Sequence, residues 1–394
     1  MLKDKNPYTP GAGTPPSFLA GRDKTIEDAI NSIKETIEGY MARHTIFFGL
    51  RGVGKTVLLT KIESLIKEDS DILFEHIECD KDSKFSKDIT IAIKKIVNKL
   101  SMIAKSKDVI KNVFAVLKAF TLTWNTTENT LALGMGGETA SGTADTGDLS
   151  NDLTELFISV GELGKKNDKC ICFILDEIQD LHKKELSALI RATHRINQLQ
   201  LPIIIIGAGI PTILRISGEA KSYSERLFDF VEITSLKNDD AISALIEPAK
   251  SKSVNYTKDA HEIIVERTGG YPFFIQEYGK CVWSYISKDN VIDLDGVNNS
   301  YLEYLSRLDD SFFKVRYNRT TPKEKEFLFA MEKCNSYPCQ MSQVALYMNQ
   351  KPKSISIFRN KLINKGLIYA PSYGEVNFTV PQFNQYLRRV KSKK

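Results

Sequence analysis

The chain has 394 residues, more than one hydrophobic core usually organises, so we expect two or three domains. Its 42% hydrophobic and 26% charged residues are typical of a globular protein, which excludes disorder throughout. The net charge of +5 is unevenly spread, because residues 319–394 hold 14 Lys or Arg against four acids, a local charge of +10. A basic surface for a partner is therefore expected at the C-terminal end.

No signal peptide or membrane span is expected. The first residues lead into proline and glycine rather than an apolar run, and the longest apolar stretch, 201–210, is short and interrupted by a proline. The six cysteines lack C-x-x-C spacing, so we interpret them as small buried hydrophobes rather than disulfides or metal ligands. These features predict a cytoplasmic protein.

Residues 1–22 are predicted to be an extended arm, because 5–16 carry too many prolines and glycines for a helix. An amphipathic helical pattern follows, with apolar residues on one face from Ile26 to Ile37. The arm is a candidate to cover a nucleobase, with Pro7, Tyr8 or Leu19 as apolar contacts. An exposed leader is an equally open interpretation.

A phosphate-binding motif comes next. Residues 45–48 are apolar or β-branched and run into the glycine-rich stretch 49–54, and an apolar segment without glycine follows, which is the strand, loop and helix order of a P-loop. Glycines let backbone NH groups close around a phosphate, to which the helix N-terminus adds its positive end. Lys55 is expected to reach the β- and γ-phosphates of ATP and the Thr56 hydroxyl to ligate Mg²⁺. The expected nucleotide contacts in this motif are Gly49, Arg51, Gly52, Val53, Gly54, Lys55, Thr56 and Val57.

A strand follows the motif, and a long insertion separates that strand from the next one. Residues 72–79 resemble a strand, 84–120 are mostly helical, and 121–149 are rich in Thr, Gly and Ser without periodicity. A loop of that length inside a domain is usually functional or disordered. A mobile lid, a partner contact and a passive insertion all stay open, and a helix at 151–163 follows.

A second motif supplies acids. Residues 169–175 contain a short apolar run that predicts a strand buried on both faces, and the run ends in Asp176 and Glu177. Ligands of open α/β sheets bind at the carboxyl ends of the strands, so both acids should face the P-loop crevice. Asp176 is expected to hold Mg²⁺, directly or through water, and Glu177 to polarise the attacking water. The alternative is that Asp176 and Glu177 cap the helix that starts near His182.

The remaining core alternates helix and strand. A helix at 183–197, a strand at 202–207 and a strand at 230–233 complete a largely parallel sheet with helices on both faces, an α/β core over residues 23–236. Arg226 falls at a predicted helix end just before the last strand.

The pattern then changes. Residues 237–318 hold only helical segments and are predicted to form a small helical lid. Residues 319–394 contain three short helices followed by a β-hairpin, an order that suggests a winged helix-turn-helix with 353–365 as its recognition helix. Duplex DNA is the expected partner, although winged helices also serve as protein contacts. The expected DNA contacts are Lys353 and Ser354, Arg359, and the basic tail with Arg388, Arg389, Lys391, Lys393 and Lys394.

Together these motifs resemble the AAA+ ATPases of the origin-recognition and replication-initiator type and their bacterial relatives. Residues 6–13, 49–56 and 222–228 carry the resemblance, which covers nearly the whole chain. It implies an ATPase that assembles side by side, with Arg226 as an arginine finger in a neighbour's site. The alternative for Arg226 is a surface ion pair with Glu225 or Asp229.

Two departures from that family suggest slow turnover. The strand ending at 207–209 has no polar residue of the kind that AAA+ proteins place there to orient water. The third lid helix opens with Gly269-Gly270-Tyr271-Pro272, without the usual arginine, and is similar to that of the nucleotide switches of the STAND type, so Pro272 is an expected nucleotide contact. The sequence therefore predicts an ATPase whose nucleotide state controls DNA binding or assembly on DNA. A slow switch that recruits an unidentified protein is the alternative.

Overall fold

The computed structural model describes residues 5–103, 107–124, 139–334 and 336–392. The chain forms two compact units. The sheet unit consists of Asp23–Phe48 and Lys55–Glu232, and the second unit takes in the described residues up to Arg22, the loop Gly49–Gly54 and the chain from Ile233 onward. The four-part division expected from the sequence stays a prediction.

The sheet unit is built on five parallel strands in the order β2-β3-β4-β1-β5. Every residue of β3 and β4 is buried, as their unbroken apolar runs require of strands covered on both faces. The predicted parallel sheet is confirmed. The strands are β1 His44–Phe48, β2 Ile72–Glu78, β3 Cys170–Asp176, β4 Ile203–Gly209 and β5 Phe228–Glu232.

Helices cover this sheet, and the core on one of its faces is formed mainly by the helices between residues 85 and 196. Within that core the Phe157 ring stacks on Phe173 of β3, with ring centroids 5.5 Å apart. The helix at Thr212 was not predicted from the sequence. The helices of the unit are α1 Asp23–Ile37, α2 Lys55–Ile66, α3 Phe85–Ile103, α4 Lys107–Trp124, α5 Leu149–Lys166, α6 Lys183–Gln198, α7 Thr212–Ala220 and α8 Ser224–Leu227, with a 3₁₀ turn Ile178–Asp180.

The insertion after β2 begins with helices α3 and α4. The Asp152 carboxylate near the start of α5 accepts hydrogen bonds from Trp124 Nε1 at 2.9 Å, from the Thr146 hydroxyl at 2.6 Å and from Gly147 N at 3.1 Å, which ties the end of the insertion to α4. Residues 125–138 of the insertion lie outside the described residues, and its role stays open.

The second unit is mainly helical. The sequence predicts the hairpin strands found between residues 368 and 378, but not the two-residue strands at 255–256, 291–292 and 339–340. Its helices and strands are α9 Asn238–Lys250, β6 Asn255–Tyr256, α10 Lys258–Thr268, α11 Pro272–Val282, a 3₁₀ turn Trp283–Tyr285, β7 Val291–Ile292, α12 Leu294–Arg307, a π-helical turn Leu308–Phe313, α13 Lys314–Asn318, α14 Pro322–Glu332, β8 Cys339–Gln340, α15 Met341–Tyr347, α16 Pro352–Asn364, β9 Ile368–Tyr369, β10 Glu375–Phe378 and α17 Phe383–Ser392.

The last part of the chain, which we call the C-terminal module, runs from α14 to α17. Its sheet has the antiparallel order β8-β10-β9, beside the three predicted helices. The predicted basic tail is wrong in one respect, because residues 383–392 form helix α17, which buries Phe383, Tyr386 and Leu387. Lys393 and Lys394 lie outside the described residues. The winged helix-turn-helix assignment stays a prediction.

Among the described helices, none is both long enough and apolar enough to span a bilayer.

Candidate nucleotide-binding site

The loop Gly49–Gly54 owes its shape to its glycines. Gly52 and Gly54 have φ angles of 90° and 96°, a region that residues with a side chain rarely adopt. Gly49 is required for space, because a Cβ there would lie 2.1 Å from the carbonyl oxygen of Ile233. The backbone therefore follows a path that only this glycine spacing permits, as a phosphate-binding loop needs.

Arg51 is bound through its backbone on both sides within the second unit. Its NH donates to the Thr379 carbonyl of the C-terminal module at 3.2 Å, and its carbonyl accepts a hydrogen bond from the Tyr271 hydroxyl. The Tyr271 ring also closes over Gly52, since a Cβ there would lie 3.1 Å from Tyr271 Cε1. Burial raises the pKa of the Tyr271 phenol, so it stays a neutral donor. No local sequence pattern identifies Tyr271 or Thr379 as a partner of the loop.

The Arg51 side chain also lies close to the C-terminal module. A Cβ on Gly366 would lie 3.5 Å from Arg51 Nη2. Nearby, burial, together with the positive charges of Arg51 and Arg319, lowers the pKa of Arg316 to about 10. Positive charge is thus concentrated around the loop.

Helix α2 starts at Lys55 in the sheet unit and brings two of the predicted residues together. Lys55 is only 7% exposed, unusual burial for a lysine. The Thr56 hydroxyl donates to Asp176 Oδ2 at 2.7 Å, although 120 residues separate the two. A hydroxyl and a carboxylate oxygen in contact suit Mg²⁺, which takes oxygen ligands, so these two residues fit the metal.

The strand end that follows positions Glu177. Asp176 Oδ1 accepts a hydrogen bond from Glu177 N at 2.8 Å, and Glu177 has left-handed backbone angles of φ 49° and ψ 38°. That conformation is sparsely populated for a residue with a side chain and costs roughly 1 kcal/mol or more. Glu177 is therefore held in a turn that the surrounding structure imposes.

The alternative role of the acid pair as a helix cap does not hold. Helix α6 begins at Lys183, and the carboxylate of Glu185 accepts from the backbone NH of His182 at 3.0 Å. Its other oxygen accepts from Phe85 N at 2.9 Å. Glu185 thus serves the start of α6, and Asp176 is engaged with Thr56 instead.

Arg226 lies exposed on the short helix α8, which buried Leu227 and Phe228 anchor to the sheet unit. In the described part of the chain, neither Glu225 nor Asp229 forms an ion pair with Arg226. The surface-pair alternative is therefore not realised.

Tyr8 is buried rather than displayed. Its hydroxyl donates to the Leu245 carbonyl at 2.5 Å and is hydrogen-bonded to the Tyr256 hydroxyl at 2.8 Å. Its ring packs on Gly279, where a Cβ would lie 2.6 Å from Tyr8 Cδ1. The exposed-leader alternative is wrong for this residue. Its expected nucleobase contact stays a prediction, as does that of half-buried Pro272 at the start of α11.

The expected DNA contacts differ in availability. Lys353 and Ser354 are exposed at the start of α16, and Arg359 is half-buried. The two arginines of α17 are engaged within the unit. Arg388 Nε donates to Glu332 Oε1 at 2.7 Å, and Arg389 binds Asp309 through two nitrogens at 3.0 and 2.5 Å.

The sheet unit has the fold of P-loop ATPases of the AAA+ type, a five-stranded parallel sheet flanked by helices. Residues 26–213 match the model of the KAP family P-loop domain. Residues 310–387 match a model described as a domain of unknown function (DUF8462). A search of curated proteins gave no match.

Among solved structures, the chain is similar to the Walker-type ATPase paby2304 of Pyrococcus abyssi, with 14% identity over 98% of this chain and 100% of that one and a TM-score of 0.57. The Orc1 protein of Aeropyrum pernix, solved in complex with DNA, matches at 12% identity, 96% and 94% coverage and a TM-score of 0.44. Cdc6p of Pyrobaculum aerophilum matches at 15% identity, 97% coverage of both chains and a TM-score of 0.45. The likeness to the Pyrococcus protein supports the fold.

Proposed function

We propose that the protein binds and hydrolyses ATP with Mg²⁺ in the cytoplasm, and that its nucleotide state controls how the C-terminal module binds duplex DNA. The observation that carries the proposal is the double attachment of Arg51, a residue of the phosphate-binding loop. Its NH is bound by the C-terminal module through Thr379, and its carbonyl by the lid residue Tyr271.

The residues of the motif have distinct tasks in this reaction. Backbone NH groups of the loop and the Lys55 ammonium bind phosphate oxygens. Thr56 and Asp176 would hold Mg²⁺, which neutralises charge on the phosphates when bound. Glu177 takes a proton from the water whose oxygen forms the new bond to the γ-phosphorus, as the bond from that phosphorus to the bridging oxygen breaks.

Control of the C-terminal module follows from the attachment of the loop. In this proposal, phosphate that enters or leaves the loop shifts the Arg51 backbone and so changes its bonds to Thr379 and Tyr271. The binding free energy of the nucleotide is thereby coupled to the position of the module. Nucleotide binding would in this way control the position of the C-terminal module.

Helix α16 is the proposed DNA-contacting surface. The segment 319–394 carries a net charge of +10, and Lys353 and Ser354 are exposed on α16. Arg388 is paired with Glu332 and Arg389 with Asp309, so these two arginines contribute less positive charge to the surface than their number in the sequence suggests. Phosphate contacts by such residues release counterions, so binding should weaken steeply with salt.

A second candidate is a slow STAND-like switch that recruits a protein. Exposed apolar side chains favour it, since Leu346 on α15 is 75% exposed and Ile357 on α16 is 54% exposed. Such side chains are typical of protein contacts. Under either proposal, exposed Arg226 would enter the site of a neighbouring copy as an arginine finger.

Two variants test the enzymatic part. Lys55→Ala should abolish ATP binding, because the loop loses its cation. Glu177→Gln should bind ATP with little change and lose hydrolysis by about 10²-fold or more, because the amide cannot take a proton. The measurements are equilibrium binding of ATP and phosphate release per mole of protein. Normal phosphate release by Glu177→Gln would remove Glu177 from the base role.

A further inference from the structure

The turn after β3 brings the side chain of Gln179 back to Glu177. Glu177 adopts left-handed backbone angles and is followed by the 3₁₀ turn Ile178–Asp180, which folds the chain over itself. As a result, Gln179 Nε2 donates to Glu177 Oε2 at 2.5 Å. The proposed base therefore has a neutral amide donor as a neighbour from its own turn.

The other end of the same amide is fixed by strand β4. Gln179 Oε1 accepts a hydrogen bond from the backbone NH of Ile210, the first residue after β4, at 2.9 Å. These partners define the orientation of the amide, because a backbone NH only donates and a carboxylate only accepts. Gln179 thus bridges Glu177 to the carboxyl end of β4.

Gly209 provides the space for this bridge. A Cβ at Gly209 would lie 2.8 Å from Gln179 Oε1 and 3.1 Å from Ile178 Cγ2, so a larger residue would displace the amide. At Gly207, two residues earlier, the nearest atoms would lie at 3.5 Å, an ordinary contact. Strand β4 ends in Gly207, Ala208 and Gly209, none of which has a polar side chain. The polar group at this strand end is the amide of Gln179.

We propose that Gln179 is a positioning residue for ATP hydrolysis, which holds the Glu177 carboxylate in the orientation needed to take a proton from water, and that Gly209 is glycine to admit it. This inference rests on the proposed function, in which Glu177 is the base. Orientation of a base within hydrogen-bond reach of its proton decides much of its catalytic effect.

Four variants test the inference. Gln179→Ala should lower kcat on the order of 10- to 100-fold with little change in KM for ATP, because the base stays present but loses its support. Gly209→Ala should reproduce that loss without altering either side chain of the pair. Gly207→Ala is the matched control, from the same strand and with the same added methyl group, and should keep the original kcat.

Gln179→Glu supplies a readout that a purely structural role would not give. Its shape matches that of glutamine, but a carboxylate has no N–H to donate to Glu177 and repels it as a like charge. The variant should therefore keep its KM for ATP and lose kcat at least as far as Gln179→Ala. Wild-type kcat in this variant would contradict the role of the amide donor.

The outcomes separate the two proposals. Wild-type kcat in Gln179→Ala and Gly209→Ala, with Glu177→Gln inactive, would overturn the role of Gln179 alone. Wild-type hydrolysis in Glu177→Gln would remove Glu177 from the base role, and the absence of hydrolysis in the wild-type protein would overturn the proposed function itself. ATP affinity and melting temperature are measured for each variant. If the alanine variants fail to fold, the kcat and KM of the isosteric Gln179→Glu decide the question.

Discussion

The imidazole of His44 lies fully buried at the start of β1, and each of its nitrogens has a partner in the sheet unit. Its Nδ1 accepts a hydrogen bond from Ile205 N at 3.0 Å, which leaves the proton on Nε2 to be donated to Asn197 Oδ1 at 3.1 Å. Burial lowers the pKa of His44 to about 4. This neutral ring links β1, β4 and α6.

The buried ring predicts an acid-sensitive fold. Because the pKa of His44 is lower in the folded state than in the unfolded state, where it is about 6.5, the unfolded chain binds more protons between those values. The free energy of unfolding that depends on the neutral ring is therefore fully present above pH 6.5. It decreases as the pH falls, by about 3 kcal/mol at pH 4.

Thermal unfolding at pH 7.5 and pH 5 measures this effect. His44→Gln should reduce the loss of stability between the two pH values, whatever it does to stability itself. His76→Gln is the matched control, since His76 is partly exposed and paired with Glu63. Equal pH dependence in the His44→Gln and wild-type proteins would show that the ring is not the sensor.

At the scale of elements, the side chain of Tyr8 anchors the arm to the helices it packs against. Tyr8 inserts among helices α9 and α11 and is 2% exposed. We predict that Tyr8→Phe lowers the stability of the nucleotide-free protein by about 1 to 3 kcal/mol, because the Leu245 carbonyl loses its donor. Tyr8→Ala should cost about 3 to 5 kcal/mol, because it also leaves a cavity.

Unfolding of nucleotide-free protein in urea provides the measurement. Phe18→Ala is the control in the same arm, since Phe18 is 40% exposed and should change stability little. If Tyr8→Ala leaves stability unchanged and instead weakens ATP binding, the anchoring role is wrong. The ring would then serve the nucleobase, as the sequence also allowed.

Elements with a strong local pattern were predictable from the sequence. The apolar run of β3 and the glycines of the loop each dictate their own conformation, and they identify Thr56, Asp176 and Glu177 without any tertiary information. The charge of residues 383–392 predicts a basic tail, whereas the apolar spacing at Phe383, Tyr386 and Leu387 indicates the helix α17 that the structure contains.

Contacts between distant segments were not predictable. The strands β6 and β7 have two residues each and exist only because their partners are adjacent. The pairing of Gln179 with the end of β4, and of Arg51 with Thr379, joins residues whose local sequence does not specify the contact. Such pairs depend on tertiary packing, which periodicity and spacing do not encode.

At the scale of the whole molecule, the second unit combines parts that are far apart in sequence. The arm, the loop Gly49–Gly54, the helices from α9 to α13 and the C-terminal module form one compact unit. The loop is therefore a structural component of the unit that carries the proposed DNA-contacting helix α16. The proposed nucleotide control therefore predicts reciprocal coupling, in which DNA that shifts the module also changes nucleotide affinity.

The most direct test is the dissociation constant for duplex DNA, measured at low salt by fluorescence anisotropy in the two nucleotide states. Glu177→Gln supplies the ATP-bound state, and wild-type protein with ADP supplies the other. We predict that the two constants differ by at least about fivefold, and that Tyr271→Phe, which frees the Arg51 carbonyl, reduces the difference. Equal constants in both states, or no binding at low salt, would contradict nucleotide control of DNA binding.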